Sequence, residues 1–220
     1  MAVADCFSLI CHRLPEKTFG LDGRLLPLCS RCTGIYAGFL ISFIFLAVTA
    51  KRRAGFPPPS ITLTALIFIG LLLFHSAASP AFFPETNQWR FVTGIFGGGS
   101  IGLFLFPVWN EYLLKRTTGK PVVPDWRSYL CLLGILSVIS LLPFSGALEN
   151  PPVFRLLGSL SAAGAFAVYL AVNTFLAALF SGWKNRKGFL PALARLVMLV
   201  LVFFLLEFLL FRFNPLKSLF

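Results

Sequence analysis

Residues 29–50 read CSRCTGIYAGFLISFIFLAVTA, a pair of cysteines followed by a long apolar run that decides the fold. From Gly34 to Ala50 the run contains no charged residue. About 20 apolar residues are enough to cross the hydrocarbon core of a bilayer as an α-helix. The segment is therefore predicted to be a transmembrane helix, with the cysteine pair at one membrane edge.

The rest of the chain continues this apolar pattern. Of its 220 residues, 57% are hydrophobic and 12% are charged, whereas soluble domains have about 25% charged residues. We therefore predict an all-α integral membrane protein, a bundle of about six transmembrane helices with a short N-terminal Cys/His cap. The cap is predicted at residues 1–33 and the transmembrane domain at 34–220, with spans at about 34–50, 61–79, 92–114, 129–146, 156–180 and 192–212.

The net charge of +11 is spread over short loops between the predicted spans, which argues against nucleic acid as a partner. Loops after spans one, three and five contain eleven Lys and Arg residues, against eight on the other side, four of them in the N-terminal tail. Cytoplasmic loops are rich in Lys and Arg, so the more basic side is predicted to be cytoplasmic and the N-terminus to lie on the other side. The membrane is predicted to be the cell (inner) membrane. Residues 1–10 lack the basic head and apolar core of a signal peptide, so span one is expected to be an uncleaved targeting signal.

The segment before span one, CHRLPEKTFGLDGRLLPLCSRC at 11–32, concentrates metal-ligating side chains. Cys11, His12, Cys29 and Cys32 are three of the five cysteines and one of the two histidines in the chain. The C-x-x-C spacing directs two sulfurs to one point. Thiolate and imidazole suit zinc, with copper and iron as alternatives. We expect these four residues to bind one metal ion at the membrane face.

Two other functions fit the same residues. In a thiol–disulfide oxidoreductase, Cys29 and Cys32 would be the redox pair, with Cys11 or Cys6 as exchange partner and a quinone or a thiol protein as the second substrate. In a transporter or structural subunit, the cluster would be a zinc clip that folds the tail onto the membrane. Arg31 and the N-terminus of span one are expected to lower the pKa values of the thiols.

A second polar group is expected on the same membrane face. It comprises PETNQWRFVTG at 84–94, between spans two and three, and His75 near the end of span two. Ionisable residues within a membrane are costly and usually have a partner or a task. If the metal assists chemistry on a lipid or small-molecule substrate, Glu16, His75 and Glu85 are the candidate general bases. Arg90 would then anchor an anionic group such as a lipid phosphate.

Two runs of small residues lie inside predicted spans. They are GIFGGGSIG at 94–102 in span three and SLSAAGAFA at 159–167 in span five. Small residues let the backbones of membrane helices approach closely. We expect both runs to be packing surfaces, and each is a candidate partner for the other.

Two separated motifs resemble a prokaryotic multi-pass membrane family, domain of unknown function 2085. They are CHRLPEKTF with LPLCSRCTGIYAG, and ETNQWRFVTG further along, and the resemblance covers residues 6–107. It implies a multi-pass membrane protein and no particular reaction. The motif positions that it carries over are Cys11, His12, Pro15, Glu16, Cys29, Arg31, Cys32, Thr33, Gly34, Tyr36, Gly38, Glu85, Asn87, Arg90, Thr93 and Gly94.

Overall fold

Five α-helices make up most of the chain that the structure, a computed structural model, describes. The described residues are 11, 14–77, 86–113 and 118–181, with only the backbone described at 112–113 and 175–181. The helices are α1 (Ser30–Thr49), α2 (Pro59–Ala77), α3 (Asn87–Leu113), α4 (Trp126–Ser140) and α5 (Pro151–Ser181).

Four of these helices, α1, α2, α3 and α5, are long and apolar enough to cross a membrane. They match predicted spans one, two, three and five. At the predicted span 129–146 the structure has α4, which contains 15 residues. A helix of that length extends only about 22 Å, so it is shorter than the predicted membrane span. Pro143 and Gly146, whose φ is +70°, follow its end and do not suit a continued helix. The predicted span at 192–212 lies outside the described residues.

The chain before α1 folds into a short hairpin that lies against the helices. β1 (Gly20–Leu21) pairs antiparallel with β2 (Arg24–Leu25). The turn residues Asp22 and Gly23 have φ values of 50° and 73°, as a type I′ turn requires. Phe19, just before β1, packs edge-on against Phe91 of α3 with ring centroids 6.0 Å apart. The hairpin is thereby fixed to the bundle, and the chain leaving it enters α1.

α1 and α3 run parallel and pack backbone against backbone. A Cβ atom added to Gly38 would meet the carbonyl oxygen of Ile95, and one added to Gly98 would meet the carbonyl oxygen of Ile35. The same close approach recurs along the pair at Gly34, Gly94 and Gly102. Glycines four residues apart on both helices allow this approach.

The small-residue run of α3 is therefore a packing surface, as predicted, but its main partner is α1 rather than α5. The run in α5 also packs on α1, where a Cβ atom added to Gly164 would meet the carbonyl oxygen of Tyr36. The run of α3 packs there because α1 carries its own glycines, Gly34 and Gly38, at the matching spacing, whereas the run of α5 packs against the backbone at Tyr36.

α3 is the central helix, and its neighbours α2 and α4 lie on two further faces of it. A Cβ atom added to Gly97 would meet Leu72 of α2, and one added to Gly99 would meet Leu136 of α4. Arg31 of α1 bonds His75 near the end of α2, so α2 runs antiparallel to α1. The beginnings of α1, α3 and α5 and the end of α2 thus share one end of the bundle. We call it the thiol end, because Cys29 and Cys32 lie there.

The opposite end of the bundle is closed by a pair of short strands. β3 (Arg53–Gly55) pairs in parallel with β4 (Thr118–Pro121). The side-chain amide of Asn110, buried near the end of α3, donates to the carbonyl oxygen of Arg53 at 2.8 Å. Asn110 therefore joins α3 to the loop that follows α1.

Candidate metal centre

Three thiols meet where α1 begins. The Sγ atoms of Cys11, Cys29 and Cys32 all lie within 4.8 Å of one another. Cys29 is the N-cap residue of α1 and Cys32 lies in its first turn, so the C-x-x-C spacing follows one turn of the helix. Cys11 is only 5% exposed, and the other two are half-buried. Among the described residues, no imidazole or carboxylate belongs to this group.

The backbone supports the cluster directly. The amide of Cys29 donates a hydrogen bond to the Sγ of Cys11 at 3.2 Å. A donated N–H favours a thiolate at its acceptor. The acceptor lies 18 residues before the donor, so the bond also ties the two ends of the hairpin segment together.

The pKa of the Cys29 thiol is raised from its ordinary value, mainly by its interaction with the Cys11 thiol and further by burial. The expected lowering of the pKa is therefore wrong for Cys29. The guanidinium of Arg31 donates a hydrogen bond to the carbonyl oxygen of His75 at 3.2 Å. Neighbouring thiols that share one space disfavour negative charge on any of them.

The three thiols can hold a metal ion. Zinc binds each thiolate at about 2.3 Å in a tetrahedral arrangement, which places the sulfurs about 3.8 Å apart. Separations within 4.8 Å reach that value through small side-chain adjustments. A cation would also balance the negative charges that the thiols, by themselves, disfavour.

The cluster lies against an apolar wall formed by α1, α5 and the chain just before α1. Cys11 packs with Leu28 and with Ala165 of α5, both of which are buried, and Tyr36 packs on the same group. Charge–charge attraction is stronger where water is excluded. The contribution of α5 was not predicted, although the small residues around Gly164 were a signal that another backbone approaches there.

His75 connects three helices at the thiol end. Its side chain is 1% exposed, and its Nδ1 lies 3.5 Å from the guanidinium of Arg31 and 3.5 Å from the hydroxyl of Thr93. Arg90 is also buried, at 5% exposed. The structure thus brings His75 to α1 and α3, whereas the three-sulfur group does not include it.

Of the predicted site residues that remain, the structure describes Glu16. Glu16 lies in the short helix Pro15–Lys17 and is exposed. Its carbonyl oxygen accepts a hydrogen bond from the side chain of Asn87 at 3.2 Å, so the second motif contacts the tail through Asn87. His12 and Glu85 lie outside the described residues.

Comparisons with known proteins match the first half of the chain. The profile of a family described as "Predicted membrane protein (DUF2085)" matches residues 11–104. An uncharacterized protein of Methanothermobacter thermautotrophicus is 36% identical over 98 residues, which are 44% of this chain and 83% of that protein. An uncharacterized protein of Methanocaldococcus jannaschii is 27% identical over 110 residues, 50% of this chain and 70% of that protein. No solved structure matches.

Proposed function

This chain belongs to the DUF2085 family of predicted membrane proteins, and we propose that it binds a metal ion at the thiol end of its helix bundle. The observation that carries the proposal is the meeting of the Cys11, Cys29 and Cys32 sulfurs within 4.8 Å of one another. All three residues lie within the family match at 11–104. The buried wall behind them supports a site that holds an ion tightly.

We propose zinc as the ion and His12 as the fourth ligand. Three thiolates and one imidazole form a closed tetrahedral set for zinc. His12 follows Cys11 directly in the chain. Copper and iron accept the same ligand types, so metal analysis decides between them.

The site is proposed to face away from the cytoplasm of the cell (inner) membrane, as part of a cap at residues 1–33. Lys51, Arg52 and Lys120 are exposed at the opposite end of the bundle, which supports a cytoplasmic location for that end. At the thiol end, the bonds of His75 to Arg31 and Thr93 favour a structural role for this histidine over general-base chemistry.

The proposal is tested by the metal content of the purified full-length protein, measured by elemental mass spectrometry per mole of chain. We expect about one ion in the wild type and none in the Cys29→Ser/Cys32→Ser double variant. Cys131→Ser is the matched control, because Cys131 is a free and exposed thiol on α4. A wild type that contains no metal when purified without chelator would refute the proposal.

A thiol–disulfide oxidoreductase is the second candidate, favoured by the proximity of the Cys29 and Cys32 sulfurs. It is the weaker candidate, because a redox pair consists of two sulfurs whereas three meet at this point. Alkylation of the native protein separates the two functions. Thiols that react only after chelation indicate a metal site, and thiols that react only after reduction indicate a disulfide.

A further inference from the structure

A cleft of about 700 Å³ lies between the β1–β2 hairpin and the first turns of α5. Leu21 and Leu26 form its wall on the hairpin side, and Phe154 and Ala162 form it on the helix side. Leu26 is two residues before Leu28, which packs against Cys11. The cleft is therefore next to the proposed metal site but is built from different side chains.

Charged groups line the cleft as well. Arg24 of β2 and Arg155 of α5 both border it, and Asp22 is the one acidic residue among its lining residues. Both arginines are exposed, so their guanidinium groups reach the solvent-facing side. Two arginines against one aspartate give the cleft an excess of positive charge. A guanidinium group binds phosphate oxygens through two parallel hydrogen bonds.

The cleft lies where a membrane-crossing helix begins. α5 is a candidate span from Pro151 to Thr174, and Arg155 is near its start. Leu156 and Phe166 on the same helix are 69% and 64% exposed, as expected of side chains that face lipid tails. A molecule in the cleft meets the two arginines together with the apolar side chains of Leu21, Leu26 and Phe154.

We propose that this cleft binds a phospholipid with an anionic headgroup. Its phosphate lies between Arg24 and Arg155, and an acyl chain follows the apolar wall formed by Phe154 and Ala162. The cleft is much larger than a phosphate ion requires, and a soluble anion bound by the arginines would leave its apolar walls uncovered. This function goes beyond metal binding and does not depend on it.

The test is lipid binding by the full-length protein in nonionic detergent, measured by native mass spectrometry. Phosphatidylglycerol is compared with phosphatidylcholine of the same acyl chains and with inorganic phosphate. The variants are Arg24→Gln/Arg155→Gln, and Ser159→Trp, which fills the cleft from an exposed position on α5. Lys51→Gln/Arg52→Gln removes the same charge at the opposite end and is the matched control.

We expect phosphatidylglycerol to bind the wild type and the Lys51→Gln/Arg52→Gln control equally. Both cleft variants should bind it at least about tenfold more weakly, a change of about 1.4 kcal/mol. Equal binding of phosphatidylcholine, unchanged binding in the cleft variants, or an equal loss in the control would overturn the proposal. Displacement of the lipid by millimolar phosphate would identify a free-anion site instead. Metal content measured on the same samples keeps this result separate from the test of the metal site.

Discussion

The amide of Cys29 donates a hydrogen bond to the Sγ of Cys11 across 3.2 Å, although the two residues are 18 positions apart. The β1–β2 hairpin lies between them and makes this contact possible. Cys11 is therefore held against the first turn of α1 by backbone geometry as well as by packing. This relationship makes Cys11 as important to the proposed site as the C-x-x-C pair.

Cys11→Ser should weaken metal binding even though Cys29 and Cys32 are intact. The variant loses one thiolate ligand, and we expect affinity for zinc to fall by at least about tenfold, which is about 1.4 kcal/mol. Competition with a chromophoric chelator measures the affinity. Cys131→Ser should bind zinc as the wild type does. An unchanged affinity in Cys11→Ser would exclude Cys11 as a ligand.

Alanine at Gly38 or Gly98 should destabilise the bundle. The added Cβ atom would collide with the carbonyl oxygen of Ile95 or Ile35, so α1 and α3 must move apart. Overpacking of this kind costs about 1–3 kcal/mol. Thermal unfolding in detergent measures the loss.

Gly134→Ala is the control for these glycine variants, because nothing lies within 4 Å of a Cβ atom added there. Its stability should equal or exceed that of the wild type, since alanine favours the helix. If Gly134→Ala were as destabilised as Gly38→Ala, helix packing would not be the cause.

His75→Ala should lower stability and leave metal content unchanged. The change removes the side chain that lies 3.5 Å from both Arg31 and Thr93. Loss of a buried polar partner costs about 1–3 kcal/mol. Ser76→Ala is the matched control, because its hydroxyl donates to the carbonyl oxygen of Leu72 in its own helix. Loss of the metal in a folded His75→Ala protein would show that His75 belongs to the metal site.

Asp125 should make stability depend on pH. It is the N-cap residue of α4, and its carboxylate accepts from the amide of Ser128 at 2.9 Å. That hydrogen bond lowers the pKa of Asp125. Its stabilising effect is present above the unfolded pKa of about 3.9 and is lost as the pH falls through the lower pKa of the folded state.

The melting temperature of Asp125→Ala should therefore be below that of the wild type at neutral pH, with the difference shrinking under acid. Asp125→Ser keeps a cap that does not titrate and should show no such pH-dependent difference from Asp125→Ala. A constant gap between wild type and Asp125→Ala at all pH values would contradict the assignment.

The second motif shows which features of the thiol end could be predicted from the sequence and which could not. PETNQWRFVTG was expected to share one face with the cysteines, and His75, Arg90 and Asn87 do lie at the thiol end with them. The contacts within that end were not predictable, because each joins residues from different helices. Asn87 reaches the carbonyl oxygen of Glu16, and Arg31 reaches the carbonyl oxygen of His75.

The sequence by itself determined the long apolar helices α1, α2, α3 and α5, because each is encoded by a continuous apolar run long enough to cross a membrane. It also determined that Cys29 and Cys32 lie together, because their spacing is one helical turn. These properties depend on neighbouring residues and need no knowledge of the rest of the fold.

Only the tertiary structure decided which distant surfaces meet. Cys11 joins the C-x-x-C pair because the hairpin reverses the chain and Phe19 fixes it against Phe91. The glycines of α3 pack on α1 because both helices present small residues at the same four-residue interval. Hydrophobicity alone is compatible with many different pairings of these helices. The pairing that forms depends on close backbone contacts between helices, which no single segment encodes.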